Sequence, residues 1–194
     1  MSIDRVTDAE LVQRARGGDA SAFGELVRRH QLAVYRAARA VLGSHHDAED
    51  AAQDAVVQAH RHLDTFRGEA SFKTWLLTIT WHEAINRRRS VTRLLRHMVH
   101  GPDAADAEPQ SVRSAAPTPE ASAAGEQLRR AIRDAIRALP AKFRDTLLLA
   151  QSGTCSYDEI AAIVGVPTGT VKWRVSEARR LVRQRLRELG HADV

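Results

Sequence analysis

From residue 97 to residue 125 the chain reads HMVHGPDAADAEPQSVRSAAPTPEASAAG, with most of its prolines, many Ala and Ser, and almost no bulky apolar side chain. Such a stretch buries too little surface to offset the roughly 1–2 kcal/mol of backbone entropy lost per ordered residue. It is expected to be a flexible, partly extended tether. A 194-residue chain is thereby divided into residues 1–96 and residues 126–194, each long enough for one small core. Charge follows the same division. Lys and Arg outnumber Asp and Glu by 15 to 12 in the first part and 13 to 8 in the last, whereas the tether has 1 against 4. The net charges of +3, +5 and −3 sum to the whole-chain +5.

Both parts read as helical. No alternating Val/Ile/Thr/Tyr run bounded by turn residues occurs, and Ala, Arg, Leu, Glu and Gln dominate, which predicts an all-α protein of two small helical domains. A hydrophobic content of 43% is enough for real cores. A pI near 10.1 suits an anionic partner. The lone cysteine, Cys155, excludes an internal disulfide and suits a reducing cytoplasm, where it is expected to be a packed thiol. The polar N-terminus MSIDRVTDAE is unlike a signal peptide, and no apolar run approaches the ~18 residues of a spanning helix. A soluble protein with no membrane insertion is expected. No phosphate-cradling loop or nucleophile–base set is discernible, so neither enzymatic activity nor a cofactor is expected.

In the first part, Thr7 and Glu10 form a capping box before Leu11, Val12 and Ala15, and Gly17-Gly18 stops that helix. A second helix, about 20–42, spaces Phe23, Leu26, Val27, Val34, Ala38, Val41 and Leu42 at helical intervals. Ser44 can cap a third, about 45–64, and the loop TFRGEA leads to a fourth. In that fourth helix Phe72, Trp75, Leu76 and Ile79 share one face, while Leu77, Trp81, Ile85 and Arg88 lie roughly opposite. The first set is core. Periodicity alone leaves Trp81 between core and a partner-facing surface. Arg87, Arg88, Arg89, Arg93 and Arg96 follow with no acid among them. A solvated helix end is one reading; a track for nucleic-acid phosphates is the better one, because adjacent cations repel unless a polyanion approaches.

An acidic patch precedes that helix. Asp47, Asp50 and Asp54 are spaced i, i+3, i+7 on one helical face, with Gln53 beside them and Glu49 near. Like charges so placed weaken an isolated helix by a few tenths of a kcal/mol per pair. The N-terminal dipole tolerates Asp47 and Glu49 but not Asp54, well inside the helix. A basic protein partner is a fair alternative to simple solvation. A metal site with His45, His46 or His60 is disfavoured, since no recognised ligand spacing occurs.

The second part holds SYDEIAAIVGVPTGTVKWRVSEARR, residues 156–180. Ser156 and Glu159 form a capping box, Ile160, Ala161 and Val164 an apolar face, and Gly165 a left-handed stop. Val166 plugs the turn, Pro167 blocks helix continuation and Thr168 can cap the next helix. There Val171, Val175, Ala178 and Val182 form the buried stripe, leaving Thr170, Lys172, Trp173, Arg174, Ser176, Glu177 and Arg179 outward. This is a helix-turn-helix whose second helix is built to enter a major groove. Residues 126–138 and LPAKFRDTLLLA (139–150) supply its packing.

Two stretches, DAEDAAQDAVVQAHRHLDTFRGEASFKTWLLTI and LPAKFRDTLLLAQSGTCSYDEIAAIVGVPTGTVKWRVSEAR, carry a composite resemblance to bacterial sigma factors of the extracytoplasmic-function (ECF) type. It extends over about residues 8–188. The resemblance implies a factor that binds RNA polymerase core at the β′ clamp and β flap, recognises promoter DNA and is held by an anti-sigma factor in the cytoplasm. Residues 1–96 would then dock on core and open the −10 element, residues 97–125 would thread the RNA exit path, and residues 126–194 would read the −35 element. By position, Asp47, Asp50, Gln53 and Asp54 would form the docking face. Phe66, Arg67, Gly68, Glu69 and Ser71 would hold a flipped base, bordered by Trp81, His82, Asn86, Arg87, Arg88 and Arg89. Thr168, Thr170, Lys172, Trp173, Arg174, Ser176 and Arg179 would meet the −35 duplex. The chain departs from the pattern at Asp54 (usually Glu), His82 (commonly Asn), Trp81 (commonly polar or basic) and Trp173 (commonly Ser). These departures imply altered promoter preference or a site used by an inhibitor. Two rivals explain less: a helix-turn-helix regulator with an N-terminal sensing or dimerisation module, and a DNA-processing enzyme.

Overall fold

The computed structural model describes residues 6–99 and 119–191, and every regular element among them is helical. Four α-helices precede residue 100: α1 (Asp8–Arg16), α2 (Ala20–Leu42), α3 (His45–Arg61) and α4 (Phe72–Val99). Four follow: α5 (Pro119–Ala138), α6 (Ala141–Gln151), α7 (Tyr157–Val164) and α8 (Thr168–Glu188). The chain divides into two compact units, one built on α1–α4 and the other on α5–α8. Helix extends into both margins of the segment expected to be a tether, since α4 continues to Val99 and α5 starts at Pro119. The physical reason is local: proline is tolerated in a first helical turn, and the Ala- and Glu-rich residues after it favour helix. The rest of that segment, 100–118, lies outside the described residues.

In the first unit the expected caps form. Thr7 Oγ1 accepts from the Glu10 N–H at 3.3 Å while Glu10 Oε2 accepts from the Thr7 N–H at 2.7 Å. Asp19 caps α2 through the Ser21 and Ala22 N–H groups, and Gly43 ends it at φ +73°. The alanines of α3 (Ala48, Ala51, Ala55 and Ala59) are wholly buried. Short side chains at this spacing let α3 lie close on α2, where Ala38 completes a cluster with Tyr35 and Leu42. Helix α4 packs on both α2 and α3. It therefore buries Phe72, Leu76, Leu77, Trp81, Ala84 and Ile85, which point to more than one side. Of these, Phe72, Leu76, Leu77 and Ile85 each contribute about 1.5–3 kcal/mol by leaving water.

The third helix stops three residues earlier than its periodicity suggests, because Leu63–Thr65 form a 3-10 turn. A distant residue shapes that turn. The Arg16 guanidinium, at the end of α1, donates to the Leu63 carbonyl at 3.1 and 3.2 Å, to that of Asp64 at 3.4 Å and to that of Phe66.

In the second unit Leu139, Phe143, Leu147, Leu149, Ile160, Ile163, Val171, Val175, Ala178 and Leu186 form the core. The Ser156–Glu159 capping box and the left-handed Gly165 (φ +67°) are both present. The Val166 N–H returns to the Ala161 carbonyl at 3.1 Å, closing α7 before the turn. One expectation is corrected. Pro167, not Thr168, occupies the N-cap of α8, and Thr168 is the first helical residue. Its hydroxyl instead donates to Asp158 Oδ1 at 2.7 Å, tying the second helix of the motif to the first.

Candidate nucleic-acid interface

Three surfaces hold the residues singled out in the sequence. On α3 the buried alanines force Asp50, Gln53 and Asp54 to the opposite side, where Gln53 and Asp54 are exposed and Asp50 is half-exposed. Asp47 is exposed in the first turn, its N–H donating to the Ser44 cap at 3.3 Å. Arg87 of α4 lies on this surface: its guanidinium is 3.2 Å from Asp50 Oδ2 and 3.0 Å from Asp54 Oδ2, and it donates to the Asp47 carbonyl at 3.3 Å. His46 Nδ1 is 3.4 Å from Asp50 Oδ2. Arg87, expected in the basic track, is thus committed to the acidic face. One guanidinium between two carboxylates leaves the group net negative. With side-chain exposures of 31% to 58%, each contact is worth at most about 1 kcal/mol.

The second surface starts at the loop 66–71. Phe66 is buried, its ring 5.3 Å from that of Trp75 and 5.9 Å edge-on from Phe72. Ser71 Oγ accepts from the Thr74 N–H at 3.1 Å and so caps α4. Phe66 is therefore the floor of the loop and not a stacking platform, and Ser71 has a structural role. Arg67, Gly68, Glu69 and Ala70 form an exposed tip, with Gly68 in the left-handed region at φ +77°. Along α4, His82, Asn86, Arg89 and Arg93 are exposed at spacings of four, three and four residues, a single face. Trp81 is not part of it. At 5% exposure it belongs to the core, because a helix packed on two neighbours needs apolar side chains on two sides. Arg88 is half-buried.

The third surface is α8. With Val171, Val175 and Ala178 inward, Lys172, Trp173, Ser176 and Arg179 are exposed and Thr170 and Arg174 half-exposed. Thr168 is engaged with Asp158, as above. Glu177 is held by Arg180 at 2.8 Å, and that hydrogen bond keeps its carboxyl below the usual range.

Two features had no signal in the sequence. One is the Arg16 anchor beneath the loop. The other is a network in which Asp8 receives His30 Nε2 at 2.6 Å and Arg29 at 2.9 Å, while Arg29 also meets Glu25 at 2.8 Å. Burial pushes the Asp8 carboxyl up, but those hydrogen bonds outweigh it and the net shift is downward. Among the described residues no group of three or more His, Cys, Asp or Glu side chains is placed to hold a metal ion, and no helix is long and apolar enough to cross a membrane.

Both units match families of known proteins. Residues 26–94 match the Sigma-70 region 2 family and residues 129–182 the Sigma-70 region 4 family. The chain is 34% identical over 189 residues to the ECF RNA polymerase sigma-E factor of Escherichia coli strain K12, covering 96% of this chain and 97% of that protein. It is 31% identical over 191 residues to the ECF RNA polymerase sigma-E factor of Haemophilus influenzae, covering 96% and 98%. Among solved structures it is similar to CnrH in complex with the cytosolic domain of CnrY, with TM-score 0.62, 26% identity and coverage of 96% and 99%. It is also similar to RpoE in complex with the anti-sigma factor NepR from Bartonella quintana, with TM-score 0.59, 25% identity and coverage of 89% and 98%.

Proposed function

We propose that this chain, which belongs to the ECF sigma factors of bacterial RNA polymerase, docks on core polymerase through α3, opens promoter DNA with the loop tip and α4, and reads the −35 duplex with α8. The observation that carries this reading is the relation to sigma-E factors over 96% of the chain, spanning both units. A helix-turn-helix regulator with an unrelated N-terminal module would match in the second unit alone.

The division of labour follows from the residues. Opening a duplex costs on the order of 1.4 kcal/mol per base-pair step in lost stacking, and flipping a base a few kcal/mol more. One exposed stripe of His82, Asn86, Arg89 and Arg93 beside a short loop is a small surface for that work, so a negatively charged docking face for a larger machine has a purpose. Arg89 and Arg93 would track phosphates, while Arg67 and Glu69 at the Gly68 turn would border an extruded base. Duplex reading needs a preorganised helix; the Ser156 box, Gly165 and the Thr168–Asp158 bond supply it. Residues 1–96 and 126–194 would be the two working domains, with 97–125 between them. The protein supplies recognition, and the chemistry of RNA synthesis belongs to the polymerase.

Both structural relatives were solved with bound partners, one of them an anti-sigma factor, which supports control of this chain in the cytoplasm by an anti-sigma protein. The test is reconstitution with sigma-free core polymerase on a library of candidate promoters. Specific initiation that depends on the added protein is expected. Absence of both a stable complex and initiation would overturn the proposal.

A further inference from the structure

Trp173 is the large apolar side chain on the outward face of α8, and it is 55% exposed. It is held in place: its ring meets Phe143 of α6 edge-on at 5.5 Å and 67°, and Phe143 is itself buried. Lys142 sits 5.0 Å from the other partner of that pair, the Phe143 ring. An indole propped on a core residue is biased toward that orientation by about 0.5–1.5 kcal/mol, so it presents an apolar face to the exterior. Its sequence neighbours are Lys172, exposed, and Arg174, half-exposed. Any ligand of this face must therefore offer an apolar group within an anionic frame.

A protein partner fits poorly. Contiguous apolar patches of several hundred Å² are the usual mark of such an interface. Among the described residues of this unit the other large exposed hydrophobic is Leu189, sixteen positions further along, roughly 24 Å at a helical rise of 1.5 Å per residue. A DNA major groove fits well. There the thymine C5-methyl is the apolar group of the base edges, and phosphates line both sides of the groove.

We propose that Trp173 is a specificity-determining residue whose indole packs on a thymine methyl group in the −35 duplex, giving this chain a thymine requirement at that position. The inference rests on the reading of α8 as the −35 helix, and its test separates the two. Holoenzyme assembled from the full chain and sigma-free core selects templates from a pool randomised across the −35 region. The wild-type chain is expected to select thymine at one or two positions. Replacing those thymines with deoxyuridine, which lacks only the methyl, should lower promoter binding about fourfold, as expected for losing burial of one methyl-sized group. Trp173→Ser should abolish the difference between thymine and uracil templates, while Trp173→Phe should retain most of it.

The uracil comparison uses the unaltered protein, so it stands even if a variant fails to fold. Wild-type indifference to the methyl, or an unchanged thymine preference in Trp173→Ser, would overturn the inference while leaving promoter recognition intact. An unchanged base profile combined with weaker capture by an anti-sigma protein would assign the residue to a protein interface instead and overturn it equally. Wild-type holoenzyme that initiates nowhere would remove the −35 reading itself, and this inference with it.

Discussion

The two helical units hold their charged side chains by different kinds of contact. In the first, local pairs such as Arg28 with Glu25 stand beside partners far apart in sequence: Arg87 on Asp50 and Asp54, Arg29 on Asp8, and Arg16 on the carbonyls of the 63–66 turn. In the second, most are neighbours on one helix: Arg129 with Glu126, Arg180 with Glu177, Arg185 with Glu188. The Thr168–Asp158 bond, ten residues apart, is as long a reach as the motif needs. A unit that exposes one preformed helix can be assembled from local rules. A unit that presents an acidic face, a loop and a polar stripe must fix three elements against each other, and only tertiary contacts do that.

The most severe break in this contrast comes from Asp50→Lys combined with Asp54→Lys. Two reversed charges facing both Arg87 and a basic docking partner should reduce affinity for core polymerase by at least about a hundredfold, measured by fluorescence titration of labelled chain with core. The circular dichroism spectrum should stay helical, because these contacts are exposed. Core binding that survives would show the acids to be a brace between α3 and α4 alone.

The anchors offer a more graded comparison. Arg16→Ala strands carbonyls in the partly buried turn beneath the loop and should cost the first unit about 1.5–3 kcal/mol in urea denaturation, the range for hydrogen bonds to charged groups. Arg180→Ala removes an exposed i,i+3 pair in the second unit and should leave its denaturation midpoint nearly unchanged. Equal effects would erase the distinction between long-range and local fixation.

The smallest effect concerns acid. The carboxyls of Asp8 and Asp19 titrate below the ordinary 3.8 and that of Glu25 below 4.5. At Asp8 burial opposes the shift and the His30 and Arg29 hydrogen bonds overcome it; at Asp19 the leading cause is the Ser21 hydroxyl and at Glu25 the Arg29 guanidinium. A depressed folded-state value means the stabilisation is complete above the ordinary value and disappears as pH falls through the lower one. Melting temperature should therefore be flat from neutral pH to about 5 and decline modestly below about 4. Asp8→Asn should flatten part of that decline, and a profile unmoved by it would remove Asp8 from the network that fixes α1 on α2.

How much was legible depends on the range of the interaction. The helix-turn-helix could be read almost residue by residue, since Ser156, Glu159, Gly165, Val171 and Val175 act through neighbours within one or two turns. The Ser71 cap was also within reach: a serine directly before Phe72, with Thr74 three positions on, is an N-cap signal, although the residue was assigned to a DNA loop. Trp81 and Phe66 were not legible. Both are aromatic residues beside polar surface, and their burial depends on which neighbours cover α4. Arg87 looked like one member of a three-arginine track because its partners lie thirty-three and thirty-seven positions earlier, on another helix.

The sequence by itself determined the all-α character, most of the helix caps, the second helix of the helix-turn-helix with its outward residues, and the division around the Pro-rich segment. Those properties follow from periodicity, capping and entropy, which act over a few residues. Only the tertiary structure decided that Trp81 and Phe66 face inward, that Arg87 belongs to the acidic face, and that His82, Asn86, Arg89 and Arg93 form the exposed stripe of α4. A helix with apolar residues on two sides carries no internal label for its free face; the helices that cover it supply that label.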